Sequence, residues 1–386
     1  MGRGNRTSCR IEMKQVLFYY PQHFNRSSRG TNPFFDSLIG ICREEGISHD
    51  VMEEPDAATD KPRNPAARKA DTFYWSVTIL RKALSLLLPR RDFYARERMA
   101  GRIFNALTFG RFRYRTYVTI SGSMFHFFAA LNPNARVYDM QHGVLYKHHP
   151  TFFDERQLRL RPQFYNPQLH FMFWGEGYRD CFCRGEESVM RGRDHVTGYP
   201  VEMEIEGSPA DHSASRLVVV SLQFTHSVDM AEREKMKRTL WRFLEEMEPA
   251  GLVIVLKNHP RYNNSIPLDD LFLRFPGIKL TDEPLDSLAR RARLHVTYFS
   301  TTAFEFAAFG VPTYFLNNED QRRDDLMYYD EYRYPLYRGL TAPQVAARLA
   351  DSAAYLADSR TVLEWYRAFY SPFDRRKFMN LISPER

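Results

Sequence analysis

Leu252-Val253-Ile254-Val255-Leu256-Lys257-Asn258-His259-Pro260 and, further along, Val296-Thr297-Tyr298-Phe299-Ser300-Thr301-Thr302-Ala303-Phe304-Glu305 are the two stretches that decide the fold. Each begins as a short apolar or β-branched run, the mark of a strand buried on both faces of a parallel sheet. Each then delivers polar residues at its carboxyl end: a lysine and a histidine before Pro260 in the first, three hydroxyls leading into a helix in the second. Gly310-Val311-Pro312 then resets the chain for another strand.

Working outward, strands are expected at 217–221, 294–298 and 313–316, with helices at 231–247, 285–292 and 303–309. They make a β/α domain over 206–361, entered through the polar linker Glu206 to Ser215. Upstream, apolar runs at 16–20, 117–120, 136–138, 171–174 and 195–200 alternate with helical patterns and close on Gly or Pro, giving a first β/α domain over 13–205. Residues 1–12 read as a tail, Met52 to Arg68 as an exposed loop, and 362–386 as a closing helical segment carrying Trp365, Tyr366, Phe369, Tyr370 and Phe373. The expected fold class is α/β, with two Rossmann-like β/α/β domains facing each other across a cleft. Ligands bind where the carboxyl ends of such sheets converge.

The chain has 386 residues, 44% hydrophobic and 26% charged, which suits two globular domains and excludes a largely disordered protein. Cys9, Cys42, Cys181 and Cys183 are too few and too scattered for a disulfide framework, which points to a reducing, cytoplasmic setting. No run approaches the roughly 18 apolar residues of a membrane span, and the N-terminus lacks the apolar segment of a signal peptide. The net charge of +7 is unevenly distributed. Residues 61–115 hold about fourteen basic side chains against Asp71, Asp92 and Glu97. Within that segment Trp75 to Leu88 is an apolar run carrying Arg81 and Lys82 and ended by Pro89. Two readings stand: a basic insertion that lies on an anionic membrane surface, or a core helix with a solvated basic face. No nucleic-acid-binding motif is present, so nucleic acid is not an expected partner.

Chemistry concentrates at strand ends. In the second domain Lys257, His259 and the hydroxyls of Ser300, Thr301 and Thr302 can meet an anion, since a helix start presents free N–H groups. Glu305, one turn inside that helix, can reach a ribose hydroxyl beside a bound phosphate. The structural alternative is that Ser300 or Thr302 caps the helix, Glu305 completes a capping box and His259 holds its own loop. Gln223, in the loop after strand 217–221, faces the same edge. In the first domain Tyr138-Asp139-Met140-Gln141-His142-Gly143 exposes a histidine at a glycine turn, where imidazole can take a proton near neutral pH. His142 is the first candidate for a base and Asp139 the second. Gln141, Gly143 and Lys147 are candidate acceptor contacts, with His148 and His149 beside them, and the loop Asn25 to Gly30 is a further place for acceptor or phosphate. There is no DxD triplet, no Walker motif and no GxGxxG at a strand–helix turn, so no metal site and no dinucleotide cofactor are expected.

Lys257-Asn258-His259-Pro260 followed by Ser300-Thr301-Thr302, Glu305 and Gly310-Val311-Pro312 resembles the C-terminal half of GT-B glycosyltransferases. The resemblance is to the bacterial set of CDP-glycerol glycerophosphotransferases, sialyl- and polysialyltransferases and capsule polysaccharide transferases, and covers roughly 135–316. It implies that His259, Pro260 and Ser300 to Thr302 hold the donor's nucleotide phosphates, that Glu305 faces the ribose, and that His142 or Asp139 is the acceptor base. The polysialyltransferases carry acidic residues immediately before the glycine, where this chain has Gln141-His142, a departure that counts against sialic acid as the donor sugar. The resemblance further implies a metal-independent transfer, with inversion, from a CMP-, CDP- or UDP-linked sugar to a surface polysaccharide or lipid-linked acceptor at the inner face of a bacterial membrane. A CDP-polyol phosphotransferase, a UDP-sugar 2-epimerase and a non-catalytic nucleotide-sugar binding subunit are the rival readings.

Overall fold

The computed structural model describes residues 14–25, 29–57, 59–120, 122, 124–145, 152–154, 159–201, 212–224, 229–259, 266–316 and 327–383. The chain divides into two compact units, 1–202 together with 371–386, and 203–370.

In the first unit the strands are β1 (Val16–Pro21), β2 (His49–Glu54), β3 (Arg68–Lys69), β4 (Thr116–Ile120), β5 (Arg136–Met140), β6 (Leu169–Phe173) and β7 (Asp194–Val196). All pair in parallel in the order β3-β2-β1-β4-β5-β6-β7. All six residues of β1 and all five of β4 and of β6 are buried, which is why these runs read as continuous apolar stretches. The helices between them are α1 (Pro33–Glu44), α2 (Asp71–Leu87), α3 (Phe93–Leu107), α4 (Phe125–Leu131), α5 (Glu176–Cys183) and α6 (Glu187–Met190). Asn32 starts α1 by accepting from Phe34 N–H (3.0 Å) and Phe35 N–H (3.3 Å), with Pro33 at the first helical position. Asp92 caps α3 through Ala95 N–H (2.8 Å).

β2 corrects the exposed-loop reading of the chain from Met52. Its sequence, HDVMEE, carries little strand signal, yet Met52 and Glu53 are buried between β1 and β3. Glu53 is buried because it organises the loops beyond it. Its carboxylate pairs with Arg63 and accepts from Asn25 Nδ2 (2.7 Å) and Asn64 N–H (2.8 Å). Three partners in low dielectric offset the desolvation of one charge. Asn25, read as a possible ligand contact, is fully buried in this cluster.

The second unit holds β8 (Leu217–Ser221), β9 (Val253–Lys257), β10 (Lys279–Leu280), β11 (Leu294–Thr297) and β12 (Thr313–Phe315), parallel in the order β10-β9-β8-β11-β12. Its helices are α7 (Met230–Met247), α8 (Asp269–Arg274), α9 (Leu285–Ala289), α10 (Thr302–Ala307), α11 (Ala342–Ala350) and α12 (Ser352–Phe369). Val219, Ala292, Phe306 and Val311 form part of one buried cluster that closes β8 against α9 and α10.

The last helix, α13 (Arg375–Ile382), belongs to the first unit. Ser371 N–H donates to Trp174 carbonyl (3.0 Å), Tyr199 N–H to Ser371 carbonyl (2.9 Å) and Asp374 N–H to Thr197 carbonyl (2.8 Å). The Tyr138 hydroxyl donates to the Leu381 carbonyl (3.1 Å), and Arg375 pairs with Glu44 and Glu45. Cys42, Cys181 and Cys183 are buried and unbridged. No helix among the described residues is long and apolar enough to cross a membrane.

Candidate functional site

In the second unit the register brings three strand ends into line: Ser221 lies opposite Lys257 on β9 and opposite Thr297 on β11. The loops leaving that edge carry Leu222 to Phe224, Asn258 to His259, and Tyr298 to Thr301, so the motifs quoted from the sequence converge on one carboxyl edge. The strand order reverses between β8 and β11, the position where doubly wound sheets open a crevice for ligands. β9 and β11 flank β8, so their carboxyl ends, Lys257 and Thr297, lie about 10 Å apart, two inter-strand spacings.

The hydroxyl turn is partly engaged with itself. Ser300 is buried, and its Oγ accepts from Thr302 N–H (3.2 Å) while its carbonyl accepts from the Tyr328 hydroxyl (2.6 Å). Thr302 Oγ1 lies 3.2 Å from His295 Nε2. Thr301 is exposed. No side chain caps α10 in the manner of a capping box, and Glu305 is exposed rather than folded back on the turn. Although the residue as a whole is exposed, neighbouring protein crowds its carboxyl and holds it above the ordinary glutamate range, first by partial loss of hydration and second by the charge of Asp286. Lys257 is half-buried, and its carbonyl accepts from Leu222 N–H (2.9 Å), which ties the first loop to the second. Gln223 is buried, His259 half-buried. Pro260 lies outside the described residues, as does Lys147.

Two residues here were not singled out from sequence. His295, fully buried on β11, has Nδ1 3.0 Å from Thr313 Oγ1 and Nε2 2.9 Å from Ser221 Oγ, and its ring stacks on Phe306 at 4.1 Å. Burial lowers it from 6.5 to about 3, so it is a neutral imidazole joining β8, β12 and the start of α10. A single histidine inside an apolar strand gives no sequence signal for this. Asn258, quoted within the strand-end motif but given no part, has a buried Oδ1 with no hydrogen-bond partner among the described residues.

In the first unit β5 ends at Met140, and Gln141 builds the turn that presents His142. Gln141 N–H donates to Met172 carbonyl (3.0 Å), its Nε2 to Gly143 carbonyl (2.8 Å), and its Oε1 accepts from Trp174 N–H (3.0 Å). Both ends of the amide are thus engaged by protein. His142 is half-buried, with its ring edge-to-face on Phe24 at 5.1 Å. Among the described residues, a Cβ on Gly143 would meet nothing within 4 Å, so they leave that side of the turn open. Asp139 is buried. Its Oδ1 accepts from Gly122 N–H (2.8 Å) and lies 3.4 Å from Thr119 Oγ1. Desolvation raises it from 3.8 to about 7, against the lowering effect of those two hydrogen bonds.

A cavity of about 600 Å³ in the second unit lies at the opposite, amino edge of the sheet, beside Arg216 and Arg293, which directly precede β8 and β11. Arg293 is bound to the carbonyls of Ser215 and Leu349 and stacks on Tyr355. The cavity therefore has no part in the strand-end site. No cluster of three or more His, Cys, Asp or Glu suited to a metal occurs among the described residues.

No protein-family model matches the sequence, and no curated protein matches it. Solved structures do. The wall teichoic acid polymerase TagF aligns over 96% of this chain and 87% of its own, at 12% identity and a TM-score of 0.52. A UDP-glucose:anthocyanidin 3-O-glucosyltransferase in complex with UDP aligns over 96% of this chain and 99% of its own, at 12% identity and a TM-score of 0.53. The fold is GT-B. The two parallel sheets are its Rossmann-like domains, and the return of 371–386 to the first unit places α13 of this GT-B chain on the N-terminal sheet. At 12% identity the likeness is one of fold.

Proposed function

We propose that this GT-B protein transfers a group from a nucleotide-activated donor, a CMP-, CDP- or UDP-linked sugar, to a hydroxyl of a surface polysaccharide or lipid-linked acceptor. The observation that carries the reading is the alignment of the ends of β8, β9 and β11, which gathers Gln223, Lys257, His259 and Thr301 along one edge. A diphosphate with a hydrogen bond on either side spans about 10 Å, the separation of the β9 and β11 exits. Lys257 and His259 supply cationic and donor groups from one side, Thr301 and the start of α10 from the other. Together they stabilise the charge that develops on the departing phosphate. Glu305 meets the ribose. Ser300 and Thr302 hold the turn in shape through Thr302 N–H and His295. The solved neighbours include TagF soaked with CDPG and the glucosyltransferase bound to UDP, in keeping with a nucleotide donor.

His142 removes the proton from the acceptor hydroxyl as the new bond forms at the donor's anomeric carbon. Gln141 fixes the turn that presents it, and Gly143 leaves room for the acceptor. Asp139, buried under Gly122, holds the neighbouring loop in this reading. The buried, unbridged cysteines suit a cytoplasmic setting, with the acceptor at the inner face of the cell membrane.

Nucleotide release from a panel of CMP-, CDP-, UDP- and GDP-sugars and CDP-glycerol, with and without acceptor, tests the proposal. Acceptor-dependent release is expected from one donor, reduced about 10²–10⁴-fold in His142→Ala, the usual contribution of a general base. Release of a polyol phosphate to the acceptor from CDP-glycerol would move the reading to phosphotransfer. Full turnover in His259→Ala together with Thr301→Ala would remove the phosphate grip.

A further inference from the structure

Of the thirteen large apolar side chains exposed among the described residues, eight lie between Trp75 and Phe109. They belong to the α2–α3 hairpin of the first unit. α2 is apolar on two opposite faces. Phe73, Val77 and Leu84 are buried against the domain, while Trp75, Ile79 and Leu86, at helical spacing, point outward, with Leu87 beside them. Leu86 is 81% exposed. α3 runs from the exposed Phe93 to the exposed Leu107, and in the turn beyond it Phe109 is 97% exposed and held at φ 51°, a left-handed conformation unfavourable for a bulky residue. The Arg81–Glu97 pair fixes the hairpin to itself, Arg81 also donates to Met124 Sδ (2.9 Å) outside it, and the Arg81 guanidinium lies 5.9 Å from the Phe93 ring centroid.

The charges around these side chains select the occupant. Lys82 lies within the apolar stripe of α2. Arg90 and Arg91 form the exposed tip, Arg102 projects from α3, and Arg111 follows Phe109. Charged residues are depleted from the centre of protein–protein interfaces. Exposed Trp, Leu and Phe interleaved with Lys and Arg instead match a bilayer interface, where rings and aliphatic chains enter the headgroup region and cations meet lipid phosphates.

We propose that the α2–α3 hairpin docks flat on an anionic lipid bilayer through Trp75, Ile79, Leu86, Leu87, Phe93 and Phe109, without spanning it. The inference is independent of the transfer reading, because it uses no residue of the strand-end sites. Co-sedimentation of the full chain with vesicles of phosphatidylcholine, with and without phosphatidylglycerol, tests it. Binding is expected to the anionic vesicles, to weaken in high salt, and to fall about tenfold or more in Leu86→Ser/Leu87→Ser, both fully surface positions. Trp75 emission should shift to the blue on binding, a change absent from Trp75→Phe. Failure to bind anionic vesicles, or binding unchanged in the double variant, overturns the proposal. So does a dimer, by sedimentation velocity, that the same double variant dissociates, since a second copy would then cover the face.

Discussion

Asp139 sits on β5 with one carboxylate oxygen accepting from Gly122 N–H, and loss of hydration lifts it from 3.8 to about 7. Between those values the folded chain keeps a proton that the unfolded chain releases. Its contribution therefore makes stability fall as pH rises from about 4 to about 7, and level off above. Asp139→Asn retains an acceptor for Gly122 and cannot ionise. Its margin over the wild type in thermal unfolding should be on the order of a few kcal/mol at about pH 8, shrink to about 1–2 kcal/mol near about pH 5 and vanish only below about pH 4. An equal margin at both would mean the carboxylate ionises in place at no cost. The sequence placed Asp139 and His142 at one strand end as two candidates for one task. Burial, which depends on what β4 and Gly122 bring from elsewhere in the chain, separates them: one carboxylate under a loop, one imidazole at an open turn.

At the level of elements, the apolar runs at β1, β4, β6, β8 and β11 were legible because a strand buried on both faces needs little else to declare itself. β9 was expected to be buried on both faces too, but it buries only Ile254 and Leu256 and leaves Val253 exposed; its β-branched residues declared it all the same. β2 was not, because its two glutamates are held by partners distant in sequence, Arg63, Asn64 and Tyr19. The turn after β7 shows the same dependence. Gly198 stands at φ +83°, and a Cβ there would collide with the Pro372 carbonyl oxygen, where the C-terminal segment passes. Gly198→Ala meets both a disfavoured backbone and a contact with main chain that cannot swing aside. It should destabilise the first unit by about 2 kcal/mol or more and loosen 371–386, read as faster amide exchange at Tyr199 and Asp374. Unchanged exchange there would show that the segment is not seated by this turn.

Across the described residues, the buried His126, His170 and His295 and the half-buried His195 stay neutral when folded. His295 and His170 are lowered to about 3, and His126 and His195 to about 4, in every case chiefly by desolvation. Below about pH 6.5 the unfolded chain takes up protons that these rings refuse, so stability must fall as the solution is acidified through the window from 6.5 toward 4. His126 is the informative one. Both its nitrogens are buried with no hydrogen-bond partner among the described residues, and its ring packs against Tyr94 and Phe164. His126→Phe should raise the unfolding temperature at neutral pH, by about 1–2 kcal/mol in stability, and more under acid conditions. A lower temperature across the range would show that the imidazole has a polar role.

The amino-acid sequence by itself determined that this chain folds as two β/α units with strand-end motifs at Asp139 to Gly143, Lys257 to His259 and Ser300 to Glu305. Runs of apolar residues closed by Gly, Pro or hydroxyls are local signals, and they survive any tertiary arrangement. Only the tertiary structure decided which polar groups at those ends are already engaged. It buried Ser300 and Asp139, turned Thr302 toward His295, occupied both ends of Gln141, left Thr301 in solvent, and returned α13 to the first unit. The physical reason is that hydrogen-bond partners and desolvation are set by strand register and packing between segments far apart in the chain, which no local pattern encodes.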